Sequence, residues 1–449
     1  MSEMSLGITD VKLLVGGRLL EGGIAIENGK ITRIAKTALL PKSERRVDGK
    51  GLVAIPGLID AHVHLRDMEL AYKEDFSSGT MAAAAGGFTT VLDMPNTKPP
   101  TDSRERVIEK MAKARKSVHV SVGFYAALAE SPVEIRGMMN AGVIGFKLYM
   151  NDPSPNAWHN DHRRLLSSLE ECGSLGVPVA VHAENGPAIA KIQAECQSAG
   201  RRGMRDFLRA HAPELELDAI RTISELAHRV RSRVHLCHVS TYRGLNEIFA
   251  ARRRGTAVTC EATPHHMLLK QAEMNRRKGI ALMVPPLRSP EDAGVLWNSA
   301  AGGRIDVVAS DHAPHAIEEK TGEDVWALKP GIPGLETTLP LLLAKMHHKE
   351  ITLSRIVRLL AENPARIFGL ETKGRLSEGM DGDVVLVDPK KQSKVDSSEF
   401  YSKARFSPFD GTRCVGRPVL TIVSGHIVYE RGEIIEEKQG EIVTGRVRS

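Results

Sequence analysis

The sequence predicts an α/β protein built on a parallel (β/α)8 barrel of the TIM type, with a small β-sandwich domain formed by both termini. From Thr90 onward, short β-branched apolar runs alternate with longer amphipathic stretches, which is typical of repeated βα units and a parallel sheet. Eight such strands can be found, enough to close a barrel. The two ends of the chain differ, because their short strands alternate apolar and polar residues.

Eight segments are predicted to form the barrel strands: 57–65, 89–94, 118–127, 142–149, 177–182, 233–239, 257–262 and 305–310. Most of them end in, or run straight into, a side chain able to bind a metal or a polar ligand. These side chains are His64, Asn96, Lys147, His182, His238, Glu261 and Asp311. Active sites of eight-stranded barrels form at the carboxyl ends of the strands, so we expect the site there.

The chain ends, residues 8–55 and 375–445, contain short alternating strands with Gly-Lys, Asp-Gly and Gly-His turns. We expect both ends to assemble into one β-sandwich that packs against the barrel and contributes no catalytic residue. The predicted domains are therefore the N-terminal part of the sandwich (1–55), the barrel (56–374) and the C-terminal part of the sandwich (375–449).

Composition excludes several classes of protein. With 449 residues, 42% of them hydrophobic, the chain can bury a large core, and a net charge of +6 without basic blocks gives no reason to expect nucleic acid. There is no apolar run of about 18 residues and no signal-peptide layout, so we expect no membrane association and a cytoplasmic location. The cysteines match neither a disulfide framework nor a zinc ribbon and are expected to be reduced. They are Cys172, Cys196, Cys237, Cys260 and Cys414.

The motif Asp60-Ala-His62-Val-His64-Leu-Arg66 places two imidazoles at positions i and i+2. On a strand both project from one face while Val63 points to the other, and two adjacent imidazoles suit a metal ion. An isolated pair of this kind is weak support for a metal site, so the interpretation depends on the other strand ends.

Lys147 lies in the apolar run Val143-Ile-Gly-Phe-Lys-Leu-Tyr149. Burying its ammonium is costly unless the charge is paired or neutralised, and desolvation lowers the pKa of a buried amine. A neutral amine can add carbon dioxide to form a carbamate, whose two oxygens can bridge two metal ions. The alternative is a lysine that reaches solvent or pairs with a nearby acid.

Three more strand ends carry the same kind of chemistry. His182 and His238 each close an apolar strand, and Asp311 follows the last one in Ser310-Asp311-His312-Ala-Pro-His315. Either histidine alone is more often a core residue, and Asp311 alone is often an N-cap or turn residue. Together with the first histidine pair and the lysine they fit a two-metal hydrolase, with Asp311 as the acid that moves a proton.

Four further residues near strand ends are left out of the predicted site. His235 and Cys237 should face away from His238 by the alternation of strand residues. His265 and His266, in Pro264-His265-His266, have no evident partner.

These motifs resemble those of the amidohydrolase superfamily and, within it, the dihydroorotase family of the class I type, in its carboxylated-lysine variant. The resemblance covers nearly the whole chain. Its most specific pieces are DAHVHLRD (60–67), GGFTTVLDMPNTKPPT (86–101), GFKLYMND (145–152), CHVS (237–240), VTCEATPHH (258–266), SDHAPH (310–315) and PGIPGLETTLPLLL (330–343).

The resemblance assigns roles to residues of this chain. It implies two Zn²⁺ per subunit, one bound by His62, His64 and Asp311 and the other by His182 and His238. Lys147, modified to N6-carboxylysine, would bridge them. The implied substrate contacts are His64, Arg66, Asn96, His315, Pro330 and Gly331. Arg66 suits this role because its guanidinium fork matches a carboxylate bidentately.

The implied activity is the reversible cyclisation of N-carbamoyl-L-aspartate to (S)-dihydroorotate in de novo pyrimidine biosynthesis. It would use a hydroxide shared by the two zinc ions, with Asp311 as catalytic proton shuttle. The resemblance also implies a small-molecule substrate, a homodimer and an association with aspartate transcarbamoylase.

The chain departs from the family pattern, or invites a second interpretation, at three places. Many bacterial dihydroorotases bridge their metals with an aspartate, for which Asp152 is a candidate here, although Lys147 is favoured. Val284 stands where the family often has an asparagine that contacts the substrate. The polar segment 151–156 is either a loop that moves over the substrate or an ordinary βα connection.

Two other functions remain open. The chain could hydrolyse related neutral rings, namely allantoin, hydantoins or dihydropyrimidines, although these have no need of the carboxylate fork of Arg66. It could also be a non-catalytic scaffold for another pyrimidine enzyme, in which case some predicted metal ligands should be replaced, and none is.

Overall fold

A computed structural model describes residues 5–154, 161–435 and 439–445. Its strands are β1 (Ser5–Val15), β2 (Arg18–Glu27), β3 (Lys30–Ala35), β4 (Arg45–Asp48), β5 (Val53–Pro56), β6 (Leu58–Val63), β7 (Phe88–Asp93), β8 (Ser121–Ala127), β9 (Gly145–Tyr149), β10 (Pro178–His182), β11 (Arg233–Leu236), β12 (Val258–Ala262), β13 (Val307–Val308), β14 (Val384–Lys394), β15 (Arg413–Val423), β16 (His426–Glu430) and β17 (Glu433–Ile434).

The helices are α1 (Phe76–Ala85), α2 (Arg104–Ala114), α3 (Pro132–Ala141), α4 (His162–Ser174), α5 (Gly186–Ser198), α6 (Met204–Ala210), α7 (Pro213–Val230), α8 (Tyr242–Arg253), α9 (Pro264–Leu268), α10 (Gln271–Arg277), α11 (Pro290–Ala301), α12 (Leu335–His347), α13 (Leu353–Val357) and α14 (Asn363–Phe368). None of them, over the described ranges, combines the length and apolar character needed to cross a membrane.

Strands β6 to β13 form a parallel sheet in chain order. The sheet nearly closes into a barrel, because Val63 of β6 forms a bridge with His312, just beyond β13, and the His64 amide donates to the His312 carbonyl at 2.7 Å. Every residue of β6, β7 and β10 is buried, as expected for strands covered on both faces. The predicted barrel is confirmed, and each of its eight strands overlaps the predicted segment.

The two ends of the chain share a second, largely antiparallel sheet. Its order is β17-β16-β15-β14-β5-β1-β2-β3, with β4 paired to β1. Strand β5 joins the two ends, because it pairs with β1 on one side and with β14 on the other. Apolar side chains from both ends form one core cluster that includes Leu6, Ile24, Val384 and Ile422.

Residues 439–445 leave this sheet and run along the amino end of the barrel. The Gly440 amide donates to the Val118 carbonyl at 3.1 Å, and the Val443 amide donates to the Val122 carbonyl at 3.0 Å. Val443 packs against apolar residues that include Ile144. This segment therefore covers the end of the barrel opposite to the carboxyl ends of the strands.

Candidate metal centre and active site

A cavity of about 220 Å³ opens at the carboxyl ends of the barrel strands. All predicted metal ligands and substrate contacts line it: His62, His64, Arg66, Asn96, Lys147, His182, His238, Asp311, His315, Pro330 and Gly331. The remaining lining residues are Tyr149, Asn151, His265, Met283, Val284, Ala313 and Ile332. The barrel thus brings together residues that are up to 270 positions apart in the chain, from His62 to Ile332.

Three side chains meet at one side of the cavity. Asp311 Oδ1 lies 3.3 Å from His62 Nε2 and 3.2 Å from His64 Nε2. The rings of His62 and His64 have centroids 5.2 Å apart. Ligand atoms of His62, His238 and Asp311 all lie within 4.8 Å of one another, so this group could hold a metal ion.

The second histidine pair lies beside the first. The ring centroids of His182 and His238 are 4.5 Å apart, and those of His62 and His238 are 5.3 Å apart. Nδ1 of His238 is buried and has no hydrogen-bond partner among the described residues. A buried imidazole nitrogen without a partner is unfavourable in a protein interior, and a metal ion would satisfy it.

Burial lowers the pKa of each of these histidines below its ordinary value, and that of His64 and His238 well below it. The imidazoles are therefore neutral at physiological pH, which is the form that binds metal ions. Burial raises the pKa of Asp311, against the opposing charges of His62 and Lys147. These donor types fit a divalent ion that prefers nitrogen and carboxylate ligands.

A layer of carboxylates and an amide holds the histidine rings. Glu261 accepts from His62 Nδ1 at 2.5 Å and lies 3.0 Å from His235 Nε2. Glu184 lies 2.7 Å from His182 Nε2 and 3.0 Å from His211 Nδ1. Asn96 Oδ1 is 2.6 Å from His64 Nδ1.

Both glutamates are ionised. Burial opposes their ionisation, but interactions with the neighbouring histidines, including hydrogen bonds to the carboxylates, outweigh it and hold the pKa of Glu261 and of Glu184 well below the ordinary carboxylate value. Such carboxylates fix the tautomer and the orientation of ligating histidines. Sequence reasoning missed Glu184 and His211 as partners; the one local signal was the position of Glu184 two residues after His182.

Lys147 is buried, with 1% of its surface exposed. Its Nζ lies 3.0 Å from Cys237 Sγ and 5.3 Å from the centroid of the Tyr149 ring. No carboxylate forms an ion pair with it in the described parts of the chain. The alternative in which Lys147 pairs with an acid or reaches solvent is therefore wrong.

The expected orientation of Cys237 is also wrong, because its thiol lies against Lys147 inside the barrel. Strand β11 ends at Leu236, and His238 has a positive φ of 34°. Strict alternation therefore stops before these residues, and both Cys237 and His238 reach the interior. Asp152, the other candidate bridge, instead accepts from the Ser154 amide at 2.9 Å within its own loop.

Arg66 is buried with its guanidinium in the cavity wall. Its Nε donates to the Pro314 carbonyl at 3.2 Å, and its Nη2 lies 3.2 Å from His315 Nε2, which in turn is 3.0 Å from the Pro330 carbonyl. No carboxylate of the described residues forms an ion pair with Arg66. Burial and the charges of Arg66 and Lys73 lower the pKa of His315 to about 3, so its imidazole is neutral.

The backbone is strained where these side chains enter the cavity. Arg66, His238 and Asp311 have positive φ values of 59°, 34° and 48°, a region that residues other than glycine adopt at a cost. Such conformations persist only where the surrounding structure over-determines them, and they cluster at functional sites.

The loop after β9 contributes Asn151 to the cavity wall. Residues 155 and 156 of the polar segment 151–156 lie outside the described residues, so neither interpretation of that segment is tested. His265, which the sequence gave no reason to include, lines the cavity, whereas His266 is held by Thr263 Oγ1 at 2.8 Å and by the Pro285 carbonyl at 3.0 Å.

Comparison with known proteins places this site in a family. A family model described as the amidohydrolase family matches residues 53–428. A dihydroorotase of Methanothermobacter thermautotrophicus is 39% identical over 93% of both chains. An allantoinase of Rubrobacter xylanophilus is 35% identical over 95% of this chain and 96% of its own. The solved L-hydantoinase (dihydropyrimidinase) from Arthrobacter aurescens is 33% identical and superposes with a TM-score of 0.93 over 98% of this chain and 99% of its own.

Proposed function

This chain belongs to the amidohydrolase family, and we propose that it is a dihydroorotase, which interconverts N-carbamoyl-L-aspartate and (S)-dihydroorotate. The family relation supports a hydrolase that acts on a cyclic amide bond, since relatives named dihydroorotase, allantoinase and L-hydantoinase all match over nearly the full chain. The choice among these substrates depends on the groups that face the cavity beside the candidate metal ligands.

The observation that carries the choice is that the guanidinium of Arg66 is buried without an ion-pair partner among the described residues. A cation with 7% of its surface exposed and no carboxylate partner among the described residues is costly unless a ligand neutralises it. Its fork matches a carboxylate bidentately. Dihydroorotate has one ring carboxylate, whereas allantoin, hydantoin and dihydrouracil have none. Asn96 and His315 line the same part of the cavity and complete a polar site for that group.

The residues present fit two zinc ions. His62, His64 and Asp311 would hold one, and His182 and His238 the other, with Lys147 as the bridge after it adds carbon dioxide at Nζ and releases a proton. The carbamate formed from the neutral amine would place an anion beside the metals. When bound, the ions would supply an activated water and polarise the ring carbonyl.

The protein's own groups then perform positioning and proton transfer. Asp311 is the catalytic acid–base residue: its pKa is raised by burial, so its carboxylate accepts a proton and delivers it to the ring nitrogen that leaves. Arg66, Asn96 and His315 orient the substrate carboxylate. The backbone of Pro330 and Gly331 closes the same wall, and the His315 ring that contacts Pro330 links this loop to Arg66.

A second candidate is a hydrolase of neutral cyclic ureides. The observation that favours it is the apolar part of the wall, formed by Met283, Val284 and Ile332. An apolar wall can pack against a neutral ring, whether or not that ring has a hydrocarbon substituent. It does not, however, account for the buried cation of Arg66 in the same cavity.

The deciding experiment offers zinc-loaded protein carbamoyl aspartate, dihydroorotate, allantoin, hydantoin and dihydrouracil, and follows ring opening and closure by chromatography. We expect reversible turnover of the first two alone. Asp311→Ala should abolish turnover. Arg66→Lys keeps the charge but loses the fork, and should lower kcat/KM for dihydroorotate by about 100-fold, in the range for a damaged buried charge pair. Turnover of a neutral ring that Arg66→Lys leaves unchanged would refute the assignment.

A further inference from the structure

His265 lines the cavity but takes no part in the metal centre or the carboxylate site. It lies in helix α9, immediately after β12, and only 2% of its surface is exposed. Its Nε2 is buried and has no hydrogen-bond partner among the described residues. A buried polar nitrogen left without a hydrogen-bond partner is energetically unfavourable. The fold therefore maintains an unfavourable arrangement at a residue in the wall of the active site.

The neighbouring histidine shows what a structural role looks like in the same helix. His266 has 3% of its surface exposed, and both of its ring nitrogens are occupied, by Thr263 and by the Pro285 carbonyl. Three other residues of the cavity wall, Met283, Val284 and Ile332, are apolar and cannot accept or donate a side-chain hydrogen bond. A molecule bound in the cavity is therefore a candidate partner for the unpaired nitrogen of His265.

The polar groups of the substrate indicate which of them would reach His265. Arg66 and Asn96 follow β6 and β7, whereas His265 follows β12, which is separated from β6 by β13 around the barrel. When the carboxylate of the ring binds Arg66 and the scissile carbonyl faces the candidate metal ligands, one ring carbonyl remains without a partner. In dihydroorotate that group is the urea carbonyl.

We propose that His265 is a substrate-binding residue whose imidazole donates a hydrogen bond to the urea carbonyl of the cyclic substrate. The inference rests on the proposed function and names a further specificity residue for it. Burial lowers the pKa of His265 well below its ordinary value, so the ring is neutral and has a single N–H to donate.

The test compares two ligands that differ at the urea edge alone. Dihydroorotate is the substrate, and 2-oxopiperidine-4-carboxylate is a competitive inhibitor that keeps the carboxylate and the scissile amide but has methylene groups in place of the urea carbonyl and the second ring nitrogen. His265→Phe preserves the ring shape without the donor. We expect kcat/KM for dihydroorotate to fall about 10- to 100-fold, as for a buried carbonyl left unpaired, with inhibition by the lactam unchanged.

His266→Phe is the matched control, because it loses two internal hydrogen bonds. It should lower the melting temperature and leave the preference for dihydroorotate over the lactam unchanged. Zinc content, measured by mass spectrometry, should equal the wild-type value in His265→Phe. If that variant does not fold, His265→Leu is measured in the same way.

Three results would overturn the proposal: an unchanged kcat/KM in the folded variant, an equal weakening of substrate and lactam, or loss of zinc. Failure of the proposed function is seen separately, in the wild-type protein. If that protein opens dihydrouracil or hydantoin rather than dihydroorotate, the same comparison is made with 2-piperidinone or 2-pyrrolidinone as the lactam. His265→Phe should then still discriminate against the ureide.

Discussion

Replacement of Glu261 by glutamine tests whether the carboxylates behind the histidines set the metal affinity. Glu261 is buried and receives three hydrogen bonds, from His62 Nδ1 at 2.5 Å, His235 Nε2 at 3.0 Å and the His238 amide at 3.1 Å. Glutamine has nearly the same shape but no charge. Its NH₂ group must also face one of the histidines, which then has to accept a hydrogen bond instead of donating it.

The expected loss follows from these contacts. A hydrogen bond to an ionised acceptor contributes about 1.5–3 kcal/mol and one to a neutral acceptor about 1 kcal/mol. Because the His238 amide donates to the same oxygen that accepts from His62 Nδ1, the NH₂ group of glutamine must face His235, and His62 is left donating to a neutral oxygen, which makes its imidazole a weaker metal ligand. We therefore expect Glu261→Gln to weaken zinc binding by about 10- to 100-fold, or about 1.4–2.8 kcal/mol.

Zinc affinity is measured by competition with a chromogenic chelator at constant pH. Glu216→Gln is the matched control: Glu216 is also buried and accepts from the Ser240 amide at 2.8 Å, but it contacts no histidine in the described chain. The control should lose thermal stability and keep its zinc affinity. Wild-type zinc affinity in Glu261→Gln, or an equal loss in both variants, would refute the reasoning.

Three other buried ionisable side chains, Lys147, Lys373 and Glu336, give further predictions. Native mass spectrometry of the wild type should show the added mass of one carbon dioxide, and Lys147→Met should lack it; no such mass would exclude the carbamate. Lys373→Met removes the partner of Asp383 at 2.7 Å and should lower the unfolding free energy by about 3–5 kcal/mol. The charge of Lys373 outweighs the effect of burial and holds the pKa of Asp381 below its ordinary value. Part of the stabilisation is therefore present above the ordinary pKa of Asp381 and is lost as pH falls through the folded-state pKa. A loss of unfolding free energy in Lys373→Met that does not depend on pH in urea titrations would contradict this. Burial raises the pKa of Glu336 to about 8, so the native state binds the extra proton and the wild type should lose stability as pH rises from the ordinary carboxylate value towards 8. Glu336→Gln should not show this decline in melting temperature. Parallel pH profiles of melting temperature for the wild type and the variant would contradict the prediction.

The sequence alone determined the barrel, and it predicted which residues meet at its mouth. Both follow from local patterns: apolar runs with a period of two, separated by amphipathic stretches, specify βα units. The carboxyl ends of parallel strands in a barrel lie on one face, so a reactive side chain at each end predicts a shared site. His62, His182 and Asp311 could be selected in this way without knowledge of any contact between them.

Only the tertiary structure decided which groups support that site. The pairs Glu261 with His235 and Glu184 with His211 join different segments, and their distances depend on how the barrel closes. The period-two rule ends with the strand, so the turn of the backbone at His238 brought Cys237 against Lys147, where alternation predicted the opposite. Among the described residues Arg66 has no ion-pair partner and His265 Nε2 has no hydrogen-bond partner. Both facts depend on how all neighbouring segments pack around these side chains, so no single segment of the sequence encodes them.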